Sequence, residues 1–217
     1  MMKKQSVIGV LAFHGDVLEH LEAVARALKN IKKEADVIEV RTKEDVARLD
    51  ALIVPGGEST TLYKLCEREE IFEALKKVPN IFGTCAGAIM LAKHIRDRIP
   101  GQKTLELMDI EVERNAYGRQ SESFEADIQT TLGAMHAIFI RAPRITKVSK
   151  NVHVLAEREG GVIACEQTSG GKYYLALAFH PELSTTLFHE HFLKKTLSDL
   201  ILHSARTHFA RSACVVA

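Results

Sequence analysis

The sequence predicts an α/β fold: a three-layer, open and mostly parallel sheet with helices on both faces and an antiparallel extension. Three observations predict it. Short unbroken apolar segments, typical of strands covered on both faces, alternate with helical patterns over the first 95 residues. Glycine-containing turns follow two of these segments directly. After Pro100 a succession of strand-like segments with little helix between them favours an antiparallel extension of the sheet.

The first part of the chain supplies the parallel strands and their helices. Residues 6–13 form an apolar run and are predicted as the first strand. Residues 15–30 are predicted as a helix, because apolar side chains recur there at helical spacing, at Val17, Leu18, Leu21, Val24, Ala25 and Leu28. The alternation continues with strands at 35–41, 51–55 and 80–83 and with helices at 43–49, about 60–77 and 88–95.

The second part of the chain is predicted to be mostly strand. The segments concerned are 107–113, 123–129, 137–141, 152–157, 161–167 and 172–179. A helix from 184 to about 208 closes the chain. Because no repeat, low-complexity tract or linker interrupts the sequence, we expect a single domain over residues 1–217, with a peripheral tail from about 205.

The composition excludes several classes of function. The chain has 29 Lys and Arg against 28 Asp and Glu, so it lacks the cationic excess of a nucleic-acid-binding or polybasic membrane protein. No apolar run approaches the roughly 20 residues that cross a bilayer. Its four cysteines include no CxxC pair, which argues against a disulfide scaffold or a cysteine-rich zinc module. We therefore expect a cytoplasmic protein with free thiols and with no nucleic-acid or membrane partner.

A cysteine lies between a predicted strand and a predicted helix, in Gly83-Thr84-Cys85-Ala86-Gly87. Small neighbours permit the strained backbone of a nucleophile elbow there. Such an elbow exposes the sulfur at the carboxyl end of the sheet and at a helix N-terminus, where the dipole favours a thiolate. The N–H of Ala86 can donate to a developing oxyanion. A buried structural cysteine beside a tight turn is the alternative interpretation.

A histidine follows the last predicted strand, in Phe179-His180-Pro181-Glu182. A thiolate needs a partner that handles protons. In an extended chain Glu182 would lie on the same side as His180, so its carboxylate could fix the imidazole tautomer that faces the sulfur. A surface turn with an incidental His and Glu would show the same pattern.

A third segment, Pro55-Gly56-Gly57-Glu58-Ser59-Thr60, also follows a strand and so belongs to the same edge of the sheet. Two glycines let the backbone approach a ligand, and the Gly57 N–H could complete the oxyanion hole. The segment lacks the lysine spacing of a phosphate-binding loop. A plain turn remains the alternative.

Together these segments resemble the class I glutamine amidotransferases and, within that group, the glutaminase subunit of pyridoxal 5′-phosphate synthase. The resemblance covers about residues 7 to 195. Its most specific segments are Glu113-Arg114-Asn115-Ala116-Tyr117-Gly118-Arg119-Gln120 and Ile140-Arg141-Ala142-Pro143. Other class I members usually carry a glutamine four residues after the nucleophile, where this chain has Ile89. The resemblance implies a flavodoxin-like class I glutamine amidotransferase fold.

The resemblance also implies roles for individual residues. Cys85 attacks the side-chain carboxamide of L-glutamine, His180 moves the protons and Glu182 orients His180. The glutamine site is implied to be lined by Gly57, Glu58, Ser59, Arg114, Ile140 and Arg141. Surface salt bridges are the alternative role for the two arginines, and which of them meets the substrate carboxylate stays open.

The family implies a partner but no cofactor. Its glutaminase passes ammonia to a (β/α)8-barrel synthase subunit in a large hetero-oligomer, and it needs neither a metal nor an organic cofactor. This chain departs from the family at His14, where members commonly have glutamine. A glutaminase serving another synthase and an inactive regulatory module on the same fold are the alternative functions.

The remaining histidines suggest no metal centre. His189 and His191 lie two residues apart in a predicted helix, so they point to different faces, whereas metal-ligand pairs prefer a spacing of four. No role is predicted for His20.

Overall fold

The computed structural model describes residues 5–114 and 123–197. Strands and helices alternate first, as β1 (Val7–Leu11), α1 (Val17–Asn30), β2 (Asp36–Val40), α2 (Lys43–Ala47), β3 (Ala51–Val54), α3 (Ser59–Arg68), α4 (Phe72–Leu75), β4 (Asn80–Thr84), α5 (Ala86–Leu91) and β5 (Ala92–Ile95). Strands then dominate, as β6 (Met108–Glu113), β7 (Ser123–Thr130), β8 (Gly133–Ile140), β9 (Arg144–Val148), β10 (His153–Arg158), β11 (Gly161–Ser169) and β12 (Lys172–Leu177). A 3₁₀ turn, Pro181–Leu183, precedes α6, which covers 187–197 within the described part.

The strands form the mixed sheet that the sequence predicts. Its order is β2-β1-β3-β4-β12-β11-β9-β6-β5, with β10 paired to β11, and β7 and β8 form a separate hairpin. The first five strands of this order are parallel to one another. The next strands pair antiparallel: β11 with β12 and with β9, and β9 with β6. After the antiparallel strands, the chain returns at β12 to pair in parallel with β4. Strand β12 therefore lies beside the predicted elbow, which follows β4.

The core consists of two apolar clusters, one on each face of the sheet. Strand β3 shows the alternation: Leu52 and Val54 belong to one cluster, and Ala51 and Ile53 belong to the other. Helices α3, α4 and α5 pack on the first face, whereas α1, α6 and the hairpin pack on the second. This three-layer arrangement confirms the predicted fold class.

Two predicted helices are wrong in their extent. The helix expected at 60–77 is interrupted at Glu70, whose positive φ of 54° lets the Ile71 N–H close a turn on the Cys66 carbonyl at 2.9 Å. The helix expected at 88–95 is α5 followed by strand β5, which pairs in parallel with β6. Periodicity cannot distinguish a short buried helix from a buried strand, so this apolar run is ambiguous from the sequence.

Other differences are smaller. Strand β9 is absent from the predicted elements, and β8 begins four residues before its predicted start. In α1 the apolar Leu18 is exposed while His20 is fully buried, because hydrogen bonds hold the His20 ring inside. Among the described residues no helix is both long and apolar enough to cross a bilayer.

Some predictions lie outside the described residues. These are the positions 115–120 of the arginine-containing segment, the part of the last helix beyond 197 and the tail from about 205.

Candidate active site

Loops from four neighbouring strands meet at one edge of the sheet. Strands β1, β3, β4 and β12 lie side by side and run parallel, with Leu177 opposite Thr84, so their carboxyl ends share that edge. The segments that follow them are 12–16, 55–58, the elbow after β4 and 178–180. Open α/β sheets place their sites at such an edge.

Cys85 occupies the predicted elbow between β4 and α5. Its φ of 48° and ψ of −103° are strained for a residue with a side chain. Its N–H donates to the Leu177 carbonyl at 2.8 Å, which fixes the turn to the adjacent strand. The thiol is buried and faces the Ile140 carbonyl at 3.8 Å.

The packing of Gly83 against Gly87 permits the elbow. A Cβ on Gly83 would lie 2.4 Å from the Gly87 carbonyl carbon, and one on Gly87 would lie 2.1 Å from the Val54 carbonyl oxygen. Helix α5 can therefore start directly against strands β3 and β4 only because both positions lack a side chain.

His180 is held by two carboxylates. Its Nδ1–H faces Glu182 Oε1 at 2.7 Å and Asp16 Oδ2 at 3.0 Å, while its Nε2 is buried without a hydrogen-bond partner among the described residues. Burial opposes a charged ring, but interactions with Asp16, the Cys85 sulfur and Glu182 outweigh it and raise the pKa of His180 well above 6.5. Burial raises the pKa of Glu182, an effect that the His180 hydrogen bond offsets in part.

The contact between His180 and Glu182 does not arise from extended backbone. Residues Pro181–Leu183 form a 3₁₀ turn that His180 precedes, so the predicted extended conformation is wrong, although the predicted hydrogen bond between His180 and Glu182 is present. The turn brings the Glu182 carboxylate within hydrogen-bond distance of the imidazole Nδ1.

A pocket of about 160 Å³ opens between the loops. The sulfur of Cys85 and the ring of His180 line it. The six residues expected to contact substrate also line it, namely Gly57, Glu58, Ser59, Arg114, Ile140 and Arg141.

The acidic residue expected to contact substrate is already engaged by the protein. Glu58 caps α3, accepting from the Thr60 N–H at 3.0 Å and the Thr61 N–H at 2.6 Å. Burial works against its ionisation, but these hydrogen bonds lower its pKa to about 2. Arg114 pairs with the same carboxylate at 3.3 Å, and its guanidinium is largely buried.

Gln102 joins these residues into one wall of the pocket. Its side-chain oxygen accepts from Arg114 at 3.1 Å and its nitrogen donates to Ser59 Oγ at 3.1 Å. A fully ionised carboxylate, a guanidinium and two neutral polar groups are thus fixed in position before any ligand arrives.

The two residues expected to form the oxyanion hole occupy different settings. Gly57 lines the pocket with a φ of 118°, a conformation that glycine adopts without strain. Ala86 is the first residue of α5 and is fully buried. An N–H in the first helical turn has no partner in its own helix and can donate elsewhere.

Asp16, His180 and Glu182 have the residue types of a metal site, and their ligand atoms lie within 4.8 Å of one another. The pairs that His180 Nδ1 makes with both carboxylates account for this closeness without an ion. Asp16 was not predicted as a site residue, and neither were Gln102 and Ile89, which also lines the pocket. The position of Asp16 just after the first strand is a signal that could have found it.

The fold and this site define an α/β protein that places a buried cysteine at a strand-to-helix elbow and a histidine–carboxylate pair in one pocket at the carboxyl edge of its sheet. The SNO glutamine amidotransferase family matches residues 10–198. The chain belongs to that family and is a glutamine amidotransferase, which confirms the resemblance noted in the sequence.

Individual relatives agree over nearly their whole length. The chain is 45% identical to the pyridoxal 5′-phosphate synthase subunit PdxT of Pyrococcus furiosus, over 87% of this chain and 98% of that protein. It is also 45% identical to the PdxT of Methanoregula boonei, over 86% and 97%. A crystal structure of a glutamine amidotransferase superposes with a TM-score of 0.76 at 44% identity, covering 88% of this chain and 99% of the other.

Proposed function

We propose that the chain is the glutaminase subunit of a pyridoxal 5′-phosphate synthase and hydrolyses L-glutamine through Cys85, His180 and Glu182. One observation carries the proposal: a strained, buried cysteine and a carboxylate-held histidine line the same pocket. The similarity to PdxT proteins over nearly their full length supports the choice of pathway.

The first half of the reaction forms a thioester. The Cys85 thiolate attacks the carboxamide carbon of glutamine, and the N–H groups of Gly57 and Ala86 stabilise the oxyanion. The protonated Nε2 of His180, which has no competing partner among the described residues, gives its proton to the departing nitrogen. Ammonia leaves and a glutamyl thioester remains on Cys85.

The second half releases glutamate. Neutral His180 takes a proton from water, and the resulting hydroxide attacks the thioester carbonyl. The carbon–sulfur bond breaks, so the thiolate and the charged imidazole are restored. Glu182, bonded to Nδ1 throughout, keeps the other nitrogen directed at the reacting atoms.

The pocket wall supplies recognition of the amino-acid end of glutamine. The guanidinium of Arg114 or Arg141 suits the α-carboxylate, and Glu58 together with the Ile140 carbonyl suits the α-ammonium group. Because Arg114 is already neutralised in part by Glu58, Arg141 is the arginine with more charge to offer a carboxylate. Ser59 completes this end of the pocket.

The ammonia is proposed to pass to a (β/α)8-barrel synthase subunit within a large hetero-oligomer in the cytoplasm. A reducing compartment would keep Cys85 a free thiol, and the three cysteines of the described residues are free. His14, which replaces the family's usual glutamine, is exposed near Gly57, so it belongs to the part of the surface where coupling to the partner would be tuned.

The test is ammonia release from glutamine, with and without the synthase subunit, by wild type, Cys85→Ala and the buried-thiol control Cys165→Ala. We expect wild type and the control to release ammonia and Cys85→Ala to lose release by at least about 10³-fold. Release by Cys85→Ala at the wild-type rate would remove this cysteine from the mechanism. Stimulation by a different synthase alone would reassign the pathway, and no release by wild type with any partner would favour an inactive module.

A further inference from the structure

Two fully buried histidines lie directly behind the proposed triad and have no part in the mechanism above. His20 comes from α1 and His189 from α6, and both side chains are 0% exposed. His20 Nε2 is 3.1 Å from Thr84 Oγ1 and 3.5 Å from Glu182 Oε2. Its other nitrogen, Nδ1, is 3.0 Å from His189 Nε2.

His20 therefore contacts one member of the proposed triad and a chain neighbour of another. Thr84 immediately precedes Cys85 in the chain, and Glu182 orients His180. Burying a polar ring at the centre of an apolar cluster costs free energy unless its nitrogens are satisfied. The exposure of Leu18 in the same helix turn shows that α1 is oriented to place this histidine inside.

The surroundings select one tautomer of His20. If Nε2 carried a lone pair, that lone pair would face the Glu182 carboxylate, and Oε2, which has no hydrogen-bond partner among the described residues, would gain no donor. With the proton on Nε2, His20 donates to Thr84, has its N–H beside Glu182 Oε2 at 3.5 Å and accepts at Nδ1 from His189. His189 Nδ1 is then an unpartnered acceptor rather than an unpartnered donor, which is the less costly arrangement.

Both rings are neutral in this arrangement. Burial, aided by His189 and His180, lowers the pKa of His20 well below 6.5. Burial, aided by Arg26, lowers the pKa of His189 to about 3. A neutral His20 places an N–H within 3.5 Å of the buried carboxylate without adding a second positive charge next to His180.

We propose that His20 is a positioning residue for glutamine hydrolysis, which holds Glu182 ionised and oriented and links it to Thr84, the residue directly before Cys85. This inference rests on the proposed function. In this proposal His189 fixes the tautomer of His20, as a hydrogen-bond partner fixes the tautomer of a metal-ligating histidine elsewhere.

A pH profile separates this role from mere packing. The Nε2–H of His20 favours the charged form of Glu182, and burial opposes it. Without this N–H the pKa of Glu182 rises further, so the carboxylate is protonated at a higher pH. The acid limb of the pH profile of kcat then moves to higher pH. Among the described residues, the titratable or charged groups that surround His20 and Glu182 are His180, Asp16, His189 and Arg26.

The experiment compares His20→Leu, which removes the donor, with His20→Gln, whose amide N–H can replace Nε2–H. Ammonia release is measured with the synthase subunit across pH, and thermal unfolding is followed in parallel. We expect His20→Leu to lower kcat about 10–100-fold with KM unchanged and to move the acid limb upward. His20→Gln should recover most of the rate, and the exposed-histidine control His94→Gln should match wild type.

A double-mutant cycle with Glu182→Gln completes the test. If His20 acts through Glu182, adding His20→Leu to Glu182→Gln costs little further activity. An equal loss in both backgrounds, or a folded His20→Leu with the wild-type rate and acid limb, overturns the inference. If His20→Leu does not fold, His189→Gln carries the test: an upward acid limb supports the inference and an unchanged one refutes it. Absence of ammonia release by wild type would instead refute the proposed function.

Discussion

Substituting Gly87 by alanine tests whether the elbow depends on close packing between α5 and β3. The added Cβ would lie 2.1 Å from the Val54 carbonyl oxygen. Non-bonded contacts shorter than about 3 Å are strongly repulsive, so the start of α5 must move by roughly 1 Å. Cys85 and the Ala86 N–H move with it, because both belong to the same turn.

Two effects of this substitution on stability oppose each other. Alanine is favoured over glycine in a helix by about 1 kcal/mol, whereas overpacking costs about 1–3 kcal/mol. The net loss is thus about 0–2 kcal/mol, which lowers Tm by at most roughly 8 °C in a chain of this size. A 1 Å misplacement of reacting groups can cost about 10²-fold in rate, so activity should fall much more than stability.

The assay is ammonia release with the synthase subunit, together with thermal unfolding. Gly160→Ala is the matched control, because its Cβ meets nothing within 4 Å and only its φ of 71° makes it strained. We expect the control to lose about 1 kcal/mol and to keep its rate. A Gly87→Ala protein with kcat within twofold of wild type would show that the elbow does not depend on this close packing.

Three further outcomes are expected. Asp16→Asn removes a carboxylate that raises the pKa of His180, so the imidazolium loses its proton at lower pH and the alkaline limb of the pH profile of kcat/KM moves to lower pH. An alkaline limb at the wild-type pH would contradict this role of Asp16. Arg114→Gln removes a largely buried guanidinium from the pocket wall and should raise KM for glutamine about 10–100-fold with little change in kcat, whereas an unchanged KM would assign it no binding role. Burial raises the pKa values of Cys66 and Cys165 to about 12. At neutral pH iodoacetamide should therefore alkylate these two thiols roughly 10³-fold more slowly than a free thiol, as measured by mass spectrometry. Equal alkylation rates would contradict their burial.

Much of the fold was predictable because local signals and topology agree. Apolar runs bounded by turns locate β1, β3, β4 and β12, and the rule that parallel strands end at one edge places their loops together. The elbow at Cys85 was predictable because glycine spacing records a steric demand that no other residue meets. The extents of short buried elements were less predictable, as the change from α5 to β5 shows.

Only the site residues that belong to a local sequence motif could be predicted from the sequence. Asp16 reaches His180 because the segments that follow β1 and β12 meet at one edge of the sheet, although β3 and β4 lie between those strands, and that order is a property of the whole sheet. The burial of His20 similarly depends on Thr84, Glu182 and His189 converging from distant segments. The periodicity of α1 does place His20 on the buried face, four residues before Val24 and eight before Leu28, but it cannot show which groups satisfy the ring nitrogens there.

Covalent labelling can establish whether Cys85 is the nucleophile that attacks glutamine. The protein, together with the synthase subunit, is treated with an electrophilic glutamine analogue, and the modified peptide is identified by mass spectrometry. We expect one adduct on Cys85, which excess glutamine prevents and which forms much more slowly in His180→Ala. Labelling of another cysteine in preference, or no adduct on Cys85 with the partner present, would contradict it.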